Sequence, residues 1–193
     1  MTPRELEEYR ALRATIRERG TTRIYVFVAG LAAWAALSVA TSALSAVPLA
    51  TLVPLVVLAG VFEAIFALHI GVERIGRYLQ VFYESDDVSR QDETVTDENV
   101  MPRPRNNWEH TAMAFGRGVG GSGTDPLFVA MFAIATLLNF VPVMLAEPIP
   151  AEIAVIGGAH FLLLVRLAIA RRAATRQRAI ELARFVEMRD RGR

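Results

Sequence analysis

The chain contains no cysteine and no lysine. The first absence excludes disulfides, thiolate nucleophiles and cysteine-ligated zinc or iron–sulfur sites. The second leaves all 21 basic residues as arginine, a skew that reads as coding composition (Arg, Ala and Val enriched together) before it reads as phosphate chemistry. Charge is scarce in a more telling way. Stretches 24–46, 49–70, 127–146 and 151–170 hold only Glu63, Glu152 and Arg166 among them. With 53% hydrophobic residues in 193, the chain is too apolar for an ordinary soluble domain.

Each of these four stretches is about 20 residues long, the length an α-helix needs to cross ~30 Å of hydrocarbon. The arginines sort around them one-sidedly. Six precede the first stretch, six lie in 71–125, and eight follow Ala170, while the short connectors near Pro48 and Glu147–Pro150 have none. This positive-inside pattern predicts a multi-pass protein of the bacterial inner (cytoplasmic) membrane with both termini in the cytoplasm. The expected fold is all-α, four transmembrane helices arranged as two hairpins, with helices 2 and 4 prolonged into the cytoplasm. The segment before residue 24 is too long and too acidic for a signal-peptide n-region, so the first span is expected to be retained.

Along the chain, residues 1–20 predict an amphipathic cytoplasmic helix with Leu6, Tyr9, Leu12 and Ile16 on one side. Gly20 suits a helix stop, and Thr21 or Thr22 a cap for the next helix. Such a helix lies on the membrane surface or packs on a partner or on the protein's own tail. Residues 21–83 form the first hairpin. Its first span is rich in small residues at a period of four (Ala29, Ala33; Ser38, Ser42, Ala46), a pattern that allows helices to approach closely. Pro48 and Pro54 mark its turn. Beyond Val72 the helical period persists, with Val72, Ile75, Leu79 and Phe82 on one stripe and Glu73, Arg77, Gln80 and Glu84 on another. One helix is therefore expected from about residue 49 to residue 83, and its apolar stripe is a candidate partner-facing surface.

Residues 84–125 read as an acidic, Pro- and Gly-rich cytoplasmic loop containing a short helix at Trp108. Asp125 and Pro126 form a start signal for the third span. The second hairpin occupies 126–170, and 171–193 is a basic helical tail able to meet anionic headgroups.

Few residues offer chemistry. Glu63 lies roughly 10 Å inside the hydrocarbon at 1.5 Å per residue, so it is expected to face the bundle interior, with Arg166 as its partner. Two readings stay open: a structural ion pair, or a proton or cation site flanked by His69 and Glu73. Glu63, His69, Glu73, Glu109 and His110 have the donor types for a metal but lack the Glu-x-x-His pairs of di-metal bundles. His69 and His160 are formal candidates for tetrapyrrole ligation, against the commoner role of a buried, hydrogen-bonded histidine. No cofactor is expected. Gly116–Gly121 matches G-x-G-x-x-G without the strand and helix that give the pattern meaning. Asn139 is expected to hydrogen-bond across helices.

The runs LHIGVERIGRYLQVFYE (68–84) and WEHTAMAFGRG (108–118) resemble stretches of small four-span bacterial membrane proteins. That resemblance implies a distinctive helix leaving the membrane and a distinctive Trp108 segment, and it carries no known activity with it. The combined expectation is a non-catalytic accessory, scaffold or regulatory subunit of a larger membrane complex. Its partners would be lipids and other membrane subunits or itself, with no nucleic acid. The competing expectation is a small transporter or ion-conducting protein using Glu63.

Overall fold

In the computed structural model the described residues are 2–43, 47–84 and 126–191. They form four long helices, α1 (Pro3–Ser42), α2 (Leu52–Leu79), α3 (Pro126–Leu145) and α4 (Pro150–Arg191). Each contains an apolar stretch long enough to cross a bilayer, which makes the chain a multi-pass, all-α membrane protein. The acidic loop, Glu109, His110, the Trp108 segment, the glycine run and Asp125 lie outside the described residues.

Helix α1 starts at a capping box. The Thr2 hydroxyl accepts from Glu5 N–H (3.3 Å) and the Glu5 carboxylate accepts from Thr2 N–H (2.6 Å). It then runs unbroken for 40 residues. The expected stop at Gly20 is not there. Thr21 and Thr22 donate to the carbonyls of Arg17 and Glu18, four residues back, instead of capping a new helix. A lone glycine in a helix costs only about 1 kcal/mol, less than the packing on α2 that flanks it on both sides. The amphipathic arm and the first span are therefore one element.

A 3₁₀ turn, Pro48–Thr51, leads into α2, and a π turn, Gln80–Glu84, prolongs it. The continuous helix to Tyr83 follows from the unbroken apolar period. Pro126 and Pro150 open α3 and α4, where proline costs least. Glu152 reaches back to accept the Ile149 N–H (3.1 Å). The turn between these two helices holds Glu147 at φ 50°, a left-handed conformation that a non-glycine residue adopts at a cost.

At 1.5 Å per residue, α1 spans ~60 Å and α4 ~63 Å, while α3 spans ~30 Å. Among the described helices, α3 alone matches the membrane in length. The other three overrun it at the end that carries both chain termini, called here the basic end.

Within the apolar layer α2 is central. Leu55, Leu58, Phe62 and Ile65 of α2 pack with Phe132 and Ala135 of α3 and with Leu163, Leu167 and Ala170 of α4. Phe62 meets Phe132 edge-on at 5.5 Å. Helix α1 lies along α2 at Gly30, where an added β-carbon would overlap the Val61 methyls. Of the small-residue pattern, Ser38 is half-buried and bonds to Asn139 of another helix, and Ala46 lies outside the described residues. Ala29, Ala33 and Ser42 are exposed, and Gly30, one position round the helix from Ala29, lies against Val61. Only 6% of the most apolar stretch of α1 is buried, so most of that helix presents its surface outward.

At the basic end the overrunning parts of α1, α2 and α4 pack as a three-helix stalk. Tyr9 of α1 meets Tyr83 at 5.7 Å, and Tyr78 donates its hydroxyl proton to Glu8 (3.1 Å). Tyr78 and Phe82 both contact Phe185 of α4. Within the stripe Val72, Ile75, Leu79 and Phe82, Phe82 thereby meets the chain's own α4. Leu79 is fully buried and the other three are half-buried. Part of this apolar side is therefore buried on the same chain.

Candidate functional site

Three polar clusters join the helices, at three depths. The first is the Glu63–Arg166 pair. It forms as expected, with Arg166 Nε 2.7 Å from Glu63 Oε1 and Arg166 Nη2 2.8 Å from Oε2. This bidentate fork ties α2 to α4 with the geometry a guanidinium favours. The guanidinium also lies over the rings of Phe66 (4.8 Å) and Phe62 (5.6 Å). The expected inward orientation is not adopted. Glu63 is half exposed, because the inward positions of α2 at this level are taken by Phe62 and Ile65, and Arg166 reaches the carboxylate along the outer edge of the helix pair.

The second cluster lies deeper, at the connector end, around Asn139. Its amide nitrogen donates to the Thr51 carbonyl (2.9 Å) and to His160 Nε2 (3.0 Å). Its oxygen accepts from Trp34 Nε1 (3.4 Å) and from Ser38 Oγ (3.5 Å). His160 Nδ1 donates to the Ile156 carbonyl (2.8 Å), which fixes the neutral tautomer with Nε2 as acceptor. Phe140 closes edge-on over the imidazole at 5.1 Å. One buried amide thus meets α1, α3, α4 and the turn before α2, and uses both its donors and its acceptor. A cleft of about 220 Å³ opens beside it, bordered by Trp34, Thr41, Ser42 and Pro142. The hydroxyls of Thr41, Ser42 and Thr51 are turned to backbone carbonyls of their own helices. Both ring nitrogens of His160 are engaged, so metal ligation by it would require giving up Asn139 or Ile156.

The third cluster stands in the stalk, where burial and charge coincide most sharply. Arg77 has a side chain only 1% exposed. Its Nη1 lies 3.2 Å from Glu73 Oε2 and its Nη2 binds Glu181 of α4. Glu181 Oε1 also accepts from Arg74 Nε (2.9 Å), Arg74 Nη2 (2.7 Å) and Gln177 Nε2 (3.0 Å). Glu73 continues to His69 Nε2 (3.6 Å), and His69 Nδ1 lies 3.3 Å from Arg23 Nη1 of α1. Arg23 in turn lies over the Phe128 ring of α3 at 5.1 Å. The cluster therefore reaches every helix.

Glu181 stands eleven residues past Ala170, ~16 Å beyond the apolar layer. Burial pushes its carboxyl up, but the hydrogen bonds from Arg74, Gln177 and Arg77, with the charge of Arg77, outweigh burial and hold it at about 2. The Glu181 hydrogen bond and charge raise Arg74 in return. Lower in the stalk, burial and then the Glu8 carboxylate push the Tyr83 hydroxyl up to about 12.

Of the residues singled out from the sequence, Glu63 and Arg166 meet as one pair, and His69 and Glu73 belong to the stalk cluster instead. His160 is in neither, lying with Asn139. Arg74, Arg77, Gln177 and Glu181 were not singled out as a site. A signal for them exists, since Glu181 is the lone acid among the arginines of 171–186 and a lone acid there invites a specific partner. Among the described residues, no group of three or more His, Asp or Glu is placed to hold a metal. Glu109 and His110, the remaining members of the candidate metal set, fall outside them. No protein-family model, curated protein or solved structure matches this chain.

Proposed function

We propose that this chain is a non-catalytic accessory, scaffold or regulatory subunit of a larger assembly in the bacterial inner membrane, with both termini and the stalk in the cytoplasm. The observation that carries the reading is how the polar groups within the apolar layer are used. Asn139 and His160 are saturated by bonds between helices, and Glu63 is held bidentate by Arg166. Such groups fix which helices touch. A conducting path would instead need a carboxylate facing a polar cavity, and Glu63 faces outward. The one-sided arginines support the orientation.

The stalk supplies a rigid surface beyond the membrane. Its self-packing removes Leu79 as a contact residue and moves the candidate partner surface to the outer side of α4. There Ala179, Leu182, Ala183 and Val186 line an open depression of about 800 Å³, rimmed by Glu187, Asp190 and Arg191.

Two variants separate this reading from transport. Ala183→Arg, at an exposed position, is expected to release co-purifying subunits from mildly solubilised membranes while the protein stays folded. Glu63→Gln is expected to leave co-purification unchanged. Proton or cation flux through vesicles containing the purified protein, abolished by Glu63→Gln, would overturn the proposal in favour of a transporter.

A further inference from the structure

The cleft beside Asn139 has a wall of one hydrogen-bonding character. Trp34 Nε1 and Ser38 Oγ both donate to Asn139 Oδ1. Thr41 donates to the Leu37 carbonyl (2.8 Å), Ser42 to that of Val39 (2.7 Å) and Thr51 to that of Pro48 (2.8 Å). The Asn139 amide gives its two protons to the Thr51 carbonyl and to His160. The polar hydrogens of these side chains are all engaged, and what the hydroxyls keep is lone pairs. Pro142 adds a further acceptor. It has no N–H for the carbonyl of Leu138, four residues back in α3, and both residues border the cleft.

The surroundings have one sign as well. Helices α1 and α3 both end here, and neither has a basic residue in its last turn. Each C-terminus therefore presents about half a negative charge with no cation beside it in sequence. Residues 24–62 and 126–165 contain no arginine and two acids, Glu147 and Glu152, both at this end.

We propose that this cleft binds a primary ammonium group, entering from the connector end between α1 and α3. Three N–H donors match a wall that offers acceptors only, and the Trp34 ring in that wall attracts the positive charge. Other chemical classes fit worse. A phosphate or carboxylate would meet lone pairs and two helix C-termini with no donor to hold it. A quaternary ammonium has the charge but no N–H. A bare alkali ion would fill little of a cleft of about 220 Å³, which has room for several molecules the size of water at ~30 Å³ each. Trp34 lies eight residues before Ser42, so the cleft reaches ~12 Å in from the end of α1. An ethanolamine lipid headgroup and a soluble amine can both enter at that level, and both carry the same ammonium group. The inference is independent of which protein, if any, the stalk binds.

The test uses the full chain with Trp108→Phe, which leaves Trp34 as the sole tryptophan. In detergent at pH 7, choline chloride is replaced stepwise by ethanolamine hydrochloride at constant ionic strength, and Trp34 emission is followed. A saturable change is expected with ethanolamine and none with potassium chloride in its place. Thr41→Val together with Ser42→Ala removes two acceptors whose protons bond only within α1, and is expected to weaken binding by roughly tenfold or more. Pro142→Ala gives the Leu138 carbonyl a helical donor. It is expected to weaken binding severalfold while holding or raising the unfolding midpoint, a combination that damage to the fold does not produce. The source of the ammonium is read in vesicles. The ethanolamine response should persist in phosphatidylcholine with phosphatidylglycerol. Its loss in phosphatidylethanolamine, with the emission already shifted, identifies the headgroup as the source, and its persistence there identifies a soluble amine. No saturable change, an equal change with potassium, or indifference to both sets of substitutions would overturn the proposal.

Discussion

Glu181→Gln removes one negative charge from the stalk cluster and leaves the volume almost unchanged. Two effects set the size of the loss. The carboxyl is held at about 2 against an ordinary value of 4.5, a change in proton affinity of between two and three factors of ten. At about 1.4 kcal/mol per factor, the ionised form contributes ~3 kcal/mol to folding. That figure is an upper bound, because Arg74, one of the two arginines holding the carboxylate, is 54% exposed and solvent screens its share. Separately, breaking one partner of a buried pair costs ~3–5 kcal/mol, because the group left behind, here Arg77, keeps its charge without enough compensation. The two agree. For a chain of this length ~3 kcal/mol lowers the unfolding midpoint by roughly 6–12 °C, to be read from far-UV circular dichroism in detergent at pH 7. The sign of the pH dependence is fixed by a folded value below the unfolded one. The contribution is complete above about pH 4.5 and is lost as pH falls toward 2, so the gap between wild type and variant should be roughly halved at pH 3. A variant melting within 2 °C of wild type at pH 7, or a gap of the same size at pH 3, would refute the electrostatic reading of the stalk.

Other substitutions probe the remaining contacts. Gly30→Ala drives a methyl into Val61 and is expected to cost about 1–3 kcal/mol by overpacking; Val61→Ala should recover most of it in a double-mutant cycle. Asn139→Leu strips partners from Trp34, Ser38, Thr51 and His160 together, and a loss of about 1–3 kcal/mol should appear as a lower midpoint with a red-shifted Trp34 emission. Glu147→Gly relieves a left-handed backbone worth about 1–2 kcal/mol, offset in part by glycine's added chain entropy, and should leave the midpoint unchanged or slightly higher.

The four spans and the long α2 and α4 were legible because they rest on local patterns: apolar length, persistence of the helical period, and proline at the helix starts. Gly20 does not break the helix, because glycine is a stop signal only where tertiary contact does not favour continuation; here Glu8 and Arg23, on either side of it, both bond to α2. The Glu63–Arg166 pair was legible from depth and opposite direction alone. Its outward orientation was not, since which side of a helix faces its neighbours depends on packing angles that Phe62 and Ile65 decide. The small residues of α1 divide in the same way: Ser38 bonds to Asn139 while Ala29, Ala33 and Ser42 are exposed, and Gly30 lies against Val61. The Arg77–Glu181 bond joins residues 104 apart, and no local pattern in either helix names the other.

The subunit reading meets its most direct test in native mass spectrometry of the full chain, released with its lipids from its own membrane. A stoichiometric complex containing this 21.2 kDa chain and at least one other polypeptide is the expected result. A bare monomer, or two copies with nothing else attached, would contradict it.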